Sequence, residues 1–197
     1  FIDVLIFGII GVQLFAGVLV AQCHYLDEST GQWQVDDMQG TFCGMEFLPL
    51  KFDLDNPDAG WKSLPGPGYK LRAISVAAHE GKLYVLGGMG QRGFIRKSSI
   101  FDPQTEQWST GPALIQDNQA TGFATSTFAT GGHLYSSGAS GIVYRLANDG
   151  NAWEVANRLF FPRMFHRMLP LGDDRLIALG GTGFSGMGRM ASVESFG

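Results

Sequence analysis

Hydrophobic and polar positions change rhythm once along this chain. From Val4 to Ala21 there are eighteen residues, of which only Gln13 is polar. At 1.5 Å rise per residue, a helix over this run spans about 27 Å, close to the hydrocarbon thickness of a bilayer. Gly8, Gly11, Ala16 and Gly17 recur along it and would let a second helix approach closely. The run predicts one apolar transmembrane α-helix within residues 1–22. A signal or anchor segment, and a buried strand pair broken at Gly11, are the other readings. Past residue 60 the rhythm is different. Short apolar runs alternate with Gly, Pro, Asn and Asp, and no stretch of residues 61–197 keeps a convincing helical period over twelve residues. This part predicts short strands joined by tight turns.

The strand-like part repeats itself. Trp61, Trp108 and Trp153 are spaced by 47 and 45 residues. Turn signals stand before two of them, Asp102-Pro103-Gln104-Thr105 and Asn148-Asp149-Gly150. Asx side chains bond the backbone there, Pro presets φ, and Gly accepts φ > 0. The run Gly81-Lys82-Leu83-Tyr84-Val85-Leu86-Gly87-Gly88 returns as Gly132-His133-Leu134-Tyr135-Ser136-Ser137-Gly138. It returns again as Asp174-Arg175-Leu176-Ile177-Ala178-Leu179-Gly180-Gly181. A third element, the strand before each turn, is read over Leu71–Ala78 and Pro162–Leu169. Arg163 and Arg167 lie four apart in the latter, so in a strand both point to one side. A period of about 45 residues divided into four short strands is the signature of a β-propeller blade.

The order of these elements resembles the kelch repeat, in which a glycine pair after the second strand is followed by an aromatic and a Trp. Gly87, Gly88, Phe101, Asp102 and Trp108 match that pattern. The second repeat departs from it, with Ser137-Gly138 in place of the pair, but keeps Tyr144 and Trp153. The third has Gly180 and Gly181 and stops before its Trp. The resemblance implies an all-β fold, a partial kelch-type β-propeller of about three four-stranded blades. It also implies a non-catalytic scaffold that binds a protein partner through blade loops. In this reading Gly87, Gly88, Asp102, Trp108, Trp153, Gly180 and Gly181 are structural. The glycines admit close backbone approach near the central channel, and each Trp offers an apolar face to the neighbouring blade.

Phe52-Asp53-Leu54-Asp55-Asn56-Pro57-Asp58, before Trp61, reads as the last hairpin of an earlier blade. Its first two strands would fall near residues 12–45, where the apolar run and an acidic loop stand. The division expected is a helix at 1–22, a loop and junction at 23–51, and a propeller fragment at 52–197. The junction near residues 44–52 cuts into a repeat, which suggests a blade completed elsewhere or two joined genes. An opening at Phe1 without Met, and a stop at Gly197 after a strand-like run, suggest a fragment.

Charge sharpens this division. Residues 1–60 carry a formal −8 and residues 61–197 a formal +4. The total of −4 lends no support to nucleic-acid binding. With 28 Gly in no G-X-Y period and only 8 Pro the chain is not collagen, and 45% hydrophobic residues exclude wholesale disorder. Cys23 and Cys43 flank a loop holding Asp27, Glu28, Asp36 and Asp37. They fit a disulfide on an oxidising face, or two free thiols. Cys23, His24 and Cys43 are too few for zinc.

The segment from Phe7 to Leu19, followed by Cys23, resembles the fifth transmembrane helix of a voltage-gated calcium or sodium channel repeat. The tract Cys23–Cys43 resembles the start of that family's turret. This implies a membrane location through residues 4–21, and makes a channel fragment with an appended or mis-joined module the alternative function. No arginine ladder, pore helix, filter carboxylate or sixth helix accompanies it, so this chain alone cannot form a pore. Without the membrane segment a cytoplasmic location is expected.

Candidate chemistry is sparse. Gly88-Met89-Gly90-Gln91-Arg92-Gly93 is a formal G-x-G-x-x-G, but no room for a helix follows it. The pattern recurs in repeat register at Gly181–Gly186, which marks a blade loop and no nucleotide site. His24, His79, His133 and His166 are scattered, without helical spacing or a carboxylate partner. His79 and His133 are expected at the surface beside equivalent turns, and His166 within a blade. A copper oxidase built on a kelch propeller would need a Tyr–Cys cross-link, and the propeller part has no Cys. No cofactor or metal is expected. A sugar-active propeller enzyme whose site lies in absent blades is the third functional reading. Arg92, Arg96 and Lys97 form a basic loop, read either as solvated or as a contact patch. With Phe94, and with Phe184 and Arg189 in the equivalent later loop, they are the predicted partner contacts.

Overall fold

Alternating runs bounded by Asp, Asn and Gly close as antiparallel hairpins throughout. A computed structural model of the chain describes residues 24–27, 29–30, 32–35, 45–46, 49–172, 175–183 and 188–197. The apolar run 4–21 with its channel-like segment, Cys23, Cys43 and Phe184 lie outside the described residues. Among the described residues no helix is long and apolar enough to cross a membrane. The helical element there is a 3-10 turn at Pro57–Ala59.

The chain divides into two compact units, residues 1–72 and 73–197. The first contains β1 (His24–Asp27), β2 (Gln32–Val35), β3 (Met45–Glu46), β4 (Leu50–Phe52), β5 (Trp61–Ser63) and β6 (Lys70–Leu71). β1 pairs with β2, β3 with β6, and β4 with β5. Residues 23–51, expected as a loop, therefore contain a hairpin. Ser29 and Thr30 form a turn that brings His24 opposite Val35. The hairpin expected before Trp61 is present: Asp53 Oδ1 accepts from the Asp55 N–H at 3.0 Å, and the Phe52 and Trp61 rings lie 5.0 Å apart.

The second unit is built of blades. The first blade contains β7 (Ser75–His79), β8 (Lys82–Leu86), β11 (Ser98–Asp102) and β12 (Gln107–Gly111). A small hairpin of β9 (Met89–Gly90) and β10 (Gly93–Phe94) interrupts it. The second blade contains β13 (Ser126–Thr130), β14 (His133–Ser137), β15 (Ile142–Leu146) and β16 (Trp153–Arg158). The third contains β17 (Arg167–Pro170), β18 (Leu176–Leu179) and β19 (Val193–Phe196). Each is a meander in which every strand pairs with its neighbour in sequence.

Local chemistry explains the turns. Asp102 Oδ1 accepts from Gln104 N at 2.9 Å, and Asp149 Oδ1 accepts from Asn151 N at 3.0 Å. These are Asx turns of the kind the residue order predicts. Trp153 fills the space between blades. It is 6% exposed and shares a cluster with Leu86, Leu114 and Tyr144, and its indole N–H donates to Pro112 O at 3.1 Å. Burying a ring of that size contributes roughly 4–6 kcal/mol before entropy is counted.

The first strands β7, β13 and β17 adjoin in turn, so they form the inner side. Two residues before each of them stands a left-handed backbone: Ala73 at φ 53°, Ala124 at 50° and Phe165 at 55°. The Ala124 N–H donates to Ala73 O at 3.3 Å, and the Phe165 N–H to Ala124 O at 3.0 Å. The same backbone kink thus links one blade to the next.

Four expectations are corrected. Pro162–Leu169 is not a continuous strand, because Phe165 leaves the extended region and β17 begins only at Arg167. The strand rule for Arg163 and Arg167 then fails: Arg163 is 0% exposed while Arg167 is exposed. In the second blade the place of the glycine pair belongs to Gly138-Ala139, since Ser137 ends β14 as Leu86 ends β8. His79 and His133, expected at the surface, are half-buried against the rings of Tyr84 and Tyr135.

Candidate functional site

Antiparallel meanders sort their connections to two ends. The turns between first and second strands, and between third and fourth, share one end. The second-to-third loops and the links between blades share the other. Glu80, Asp102, Glu106 and Asp149 sit at the first end, with Lys82 and Arg175 as countercharges. Arg92, Arg96, Lys97 and Arg189 belong to loops at the second end. That end is the candidate site.

Its most defined part is the hairpin between β8 and β11. Gly87 and Gly88 turn the chain there with φ of 63° and 104°. Gly88 N–H donates to Gly122 O at 2.6 Å, and a Cβ on Gly87 would stand 2.2 Å from that same oxygen. No other residue lets the backbone come so near. The formal glycine motif that begins at Gly88 thus serves backbone approach in a two-stranded hairpin and leads into no helix. The hairpin lifts Phe94 to 43% exposure, and Arg92, Arg96 and Lys97 are exposed around it. Arg96 also donates from Nη1 to Leu114 O at 3.2 Å, which fixes its stem.

The structure adds two residues that the sequence did not single out. The Phe94 ring stacks on Phe123 at 4.7 Å, and Phe123 meets Phe165 edge-on at 5.4 Å. The three come from the hairpin of the first blade, the link to the second and the link to the third. Phe165 is 49% exposed and holds a positive φ, which a bulky side chain adopts only at a cost. No motif announced Phe123 or Phe165. The only signal was their position just before the first strand of a repeat. Arg189 is exposed in the equivalent loop of the third blade, bridged to Thr182.

Several polar groups near this end are already engaged, while among the described residues Thr125 Oγ1, Ser137 Oγ and both ring nitrogens of His166 are buried without a hydrogen-bond partner. Tyr144 O–H donates to Asp117 Oδ2 at 2.9 Å, and Thr121 Oγ1 donates to Asp117 Oδ1 at 2.7 Å. Burial, then the hydrogen bond and charge of Asp117, push the Tyr144 phenol up to about 12. The pocket that Asp117, Thr121, Thr125, Ser137 and Tyr144 line has a volume of about 20 Å³, room for a water-sized group. Arg163 uses all five donors: Nε to Phe161 O at 3.1 Å, Nη1 to Gly180 O at 3.0 Å and Ser192 O at 2.8 Å, and Nη2 to Ser192 Oγ at 2.8 Å and to Glu194 Oε1. His166 beside it is fully enclosed. Burial first, then the Arg163 charge, lowers its imidazole to about 4, although a backbone group of Arg163 acts the other way. Among the described residues no three His, Cys, Asp or Glu come together to hold a metal ion.

Residues 71–114, the first blade with its flanks, match the family profile described as the Kelch motif. Kelch-like protein 41b of Danio rerio is 26% identical over 96 residues, which cover 49% of this chain and 15% of that protein. The solved structure of YjhT superposes with a TM-score of 0.59 at 15% identity, covering 74% of this chain and 48% of that one. At that identity the likeness concerns the fold, a kelch-type propeller. The chain thus spans under half the length of each of these relatives.

Proposed function

We propose that this protein is a non-catalytic scaffold that holds a protein partner against the end where the second-to-third loops and blade links meet. One observation carries the reading: a row of Phe94, Phe123 and Phe165, half-buried at its middle ring and exposed at both ends, contributed in turn by three blades and flanked by Arg92 and Arg96. Aromatic and arginine side chains are the residue types that dominate protein interfaces. The Kelch motif at residues 71–114 and the likeness to Kelch-like protein 41b support an interaction module. Arg189 and Phe184 would extend the contact along the third blade. The apolar run 4–21 would tether the scaffold to a bilayer, and retention of the full chain on vesicles, lost on deleting that run, tests this part.

The central test compares variants at the two ends. Binding of a purified partner should weaken at least about tenfold in a Phe94→Ala, Phe165→Ala double variant, measured by calorimetry. Glu106→Ala, at the opposite end, should leave it unchanged. Equal affinity for all three proteins overturns the reading.

A further inference from the structure

We propose that the small pocket between the second blade and the link that enters it is a binding site for one hydroxyl group, carried by a serine or threonine of the partner. It depends on the scaffold role proposed above for this end.

The polar lining is particular to the second blade. Thr125 follows the left-handed residue Ala124, a place that Ile74 holds in the first blade and His166 in the third. Ser136 holds the place of Val85 and Ala178, as the register with the third strands shows. These departures from the other blades gather at one spot. Thr125, Ser136 and Tyr144 line the pocket from the blade, and Ile115, Asp117 and Thr121 line it from the link. Thr125 is 8% exposed, and among the described residues its Oγ1 has no hydrogen-bond partner. A buried hydroxyl costs free energy until some group bonds to it.

The lining narrows what that group can be. A volume of about 20 Å³ holds one group the size of water. Charge calls for a neutral one. The Asp117 carboxylate repels an anion. Arg96 donates to the carbonyl of Leu114, which also lines the pocket, at 3.2 Å, and the Arg158 charge acts on Tyr144, so an ammonium is disfavoured as well. The group must also donate and accept. Asp117 takes protons from Thr121 and Tyr144 at 2.7 and 2.9 Å, and its oxygens keep lone pairs for a further donor. Thr121 Oγ1 is occupied by the Asp117 and Asn118 N–H groups at 3.2 and 3.1 Å, whereas the Thr125 hydroxyl is a donor with no acceptor. A hydroxyl is the neutral, one-atom group that does both.

Water and an alcohol side chain share that chemistry, and position favours the side chain. Thr121 and Gly122, in the wall of the pocket, are the two residues before Phe123, so the pocket adjoins the middle ring of the aromatic row. Ile115, 39% exposed, adds an apolar surface to the lining for the carbon that bears the hydroxyl.

Methanol is the probe, since it is a hydroxyl with one carbon. Titrated into the full chain and followed by NMR, it should give saturable amide shifts at Thr125 and Gly138. Acetonitrile, which has no donor, should give none. Thr125→Val keeps the shape and should abolish the shifts, whereas Thr125→Ser should retain them. With a purified partner, replacing each Ser and Thr by Ala in turn should find one position that costs about tenfold in affinity for the wild-type chain and nothing further for Thr125→Val. Absent methanol shifts, or equal shifts in Thr125→Val, overturn the hydroxyl site whatever the partner does. A partner that weakens on Phe94→Ala, Phe165→Ala but has no such Ser or Thr overturns this proposal and leaves the scaffold role standing. A pocket filled by water alone would show neither the shifts nor the coupled position.

Discussion

The second and third blades solve one problem with different chemistry. Each must hold the link that enters it from the blade before. Tyr144 and Glu194 occupy the same position of the third strand, opposite Ser136 and Ala178. In the second blade Tyr144 donates to Asp117, on the link between the first and second blades. In the third blade Glu194 accepts from the Phe160 and Phe161 amides and from Arg163, on the link between the second and third. The phenol–carboxylate solution leaves a single charge at the joint and costs less to make or lose. The ionic one buries a guanidinium completely and is worth keeping only while every partner stays. A blade can therefore keep its backbone design while the side chains that fasten it change class.

The comparison can be broken first at Arg163. Arg163→Ala leaves Glu194 without its charge partner and should cost about 3–5 kcal/mol in chemical denaturation. A loss below about 1 kcal/mol would show that the two blades are fastened alike. Acid comes next. With its imidazole lowered to about 4 from 6.5, folded His166 binds fewer protons than the unfolded chain between those values. This contribution to stability is therefore full above about pH 6.5, falls as the pH drops towards 4, and amounts to at most about 3 kcal/mol. A His166→Phe variant should flatten this slope in melts taken across that window. A slope that persists would locate the titration elsewhere.

Smaller effects sharpen the contrast. Gly181 has φ 92°, and a Cβ on it would lie 2.5 Å from Met164 O, whereas the second blade has Ala139 at that position. Gly181→Ala should cost about 2–3 kcal/mol in thermal unfolding. Ala139→Gly should cost below about 1 kcal/mol in the same measurement. Tyr144→Phe removes one hydrogen bond to a carboxylate and should cost about 1.5 kcal/mol in urea titration. An effect as large as that of Arg163→Ala would erase the distinction drawn above. Phe94→Ala should change stability least, by at most about 0.5 kcal/mol, since the ring is half-exposed. Its consequence lies in partner affinity.

Much of the blade order is legible in the residues. Asp102, Asp149, the Gly87-Gly88 pair and the Trp spacing state local needs, such as a turn, a positive φ or a large ring, and local needs leave residue-type signatures. The loop of Arg92, Phe94, Arg96 and Lys97 is legible for the same reason. Arg163 is not, because a charged residue in an exposed-looking run gives no sign that five acceptors will converge on it. Phe123 and Phe165 are missed because they lie about thirty and seventy residues from Phe94. The alternating pattern also says nothing of where Phe165 breaks its strand.

By itself the sequence determined the strand-and-turn rhythm, the repeat and the glycine positions, since each follows from what a few adjacent residues can adopt. The tertiary structure alone decided which arginine is buried and which three phenylalanines meet. Those depend on how separate blades are brought side by side, and no local preference encodes that.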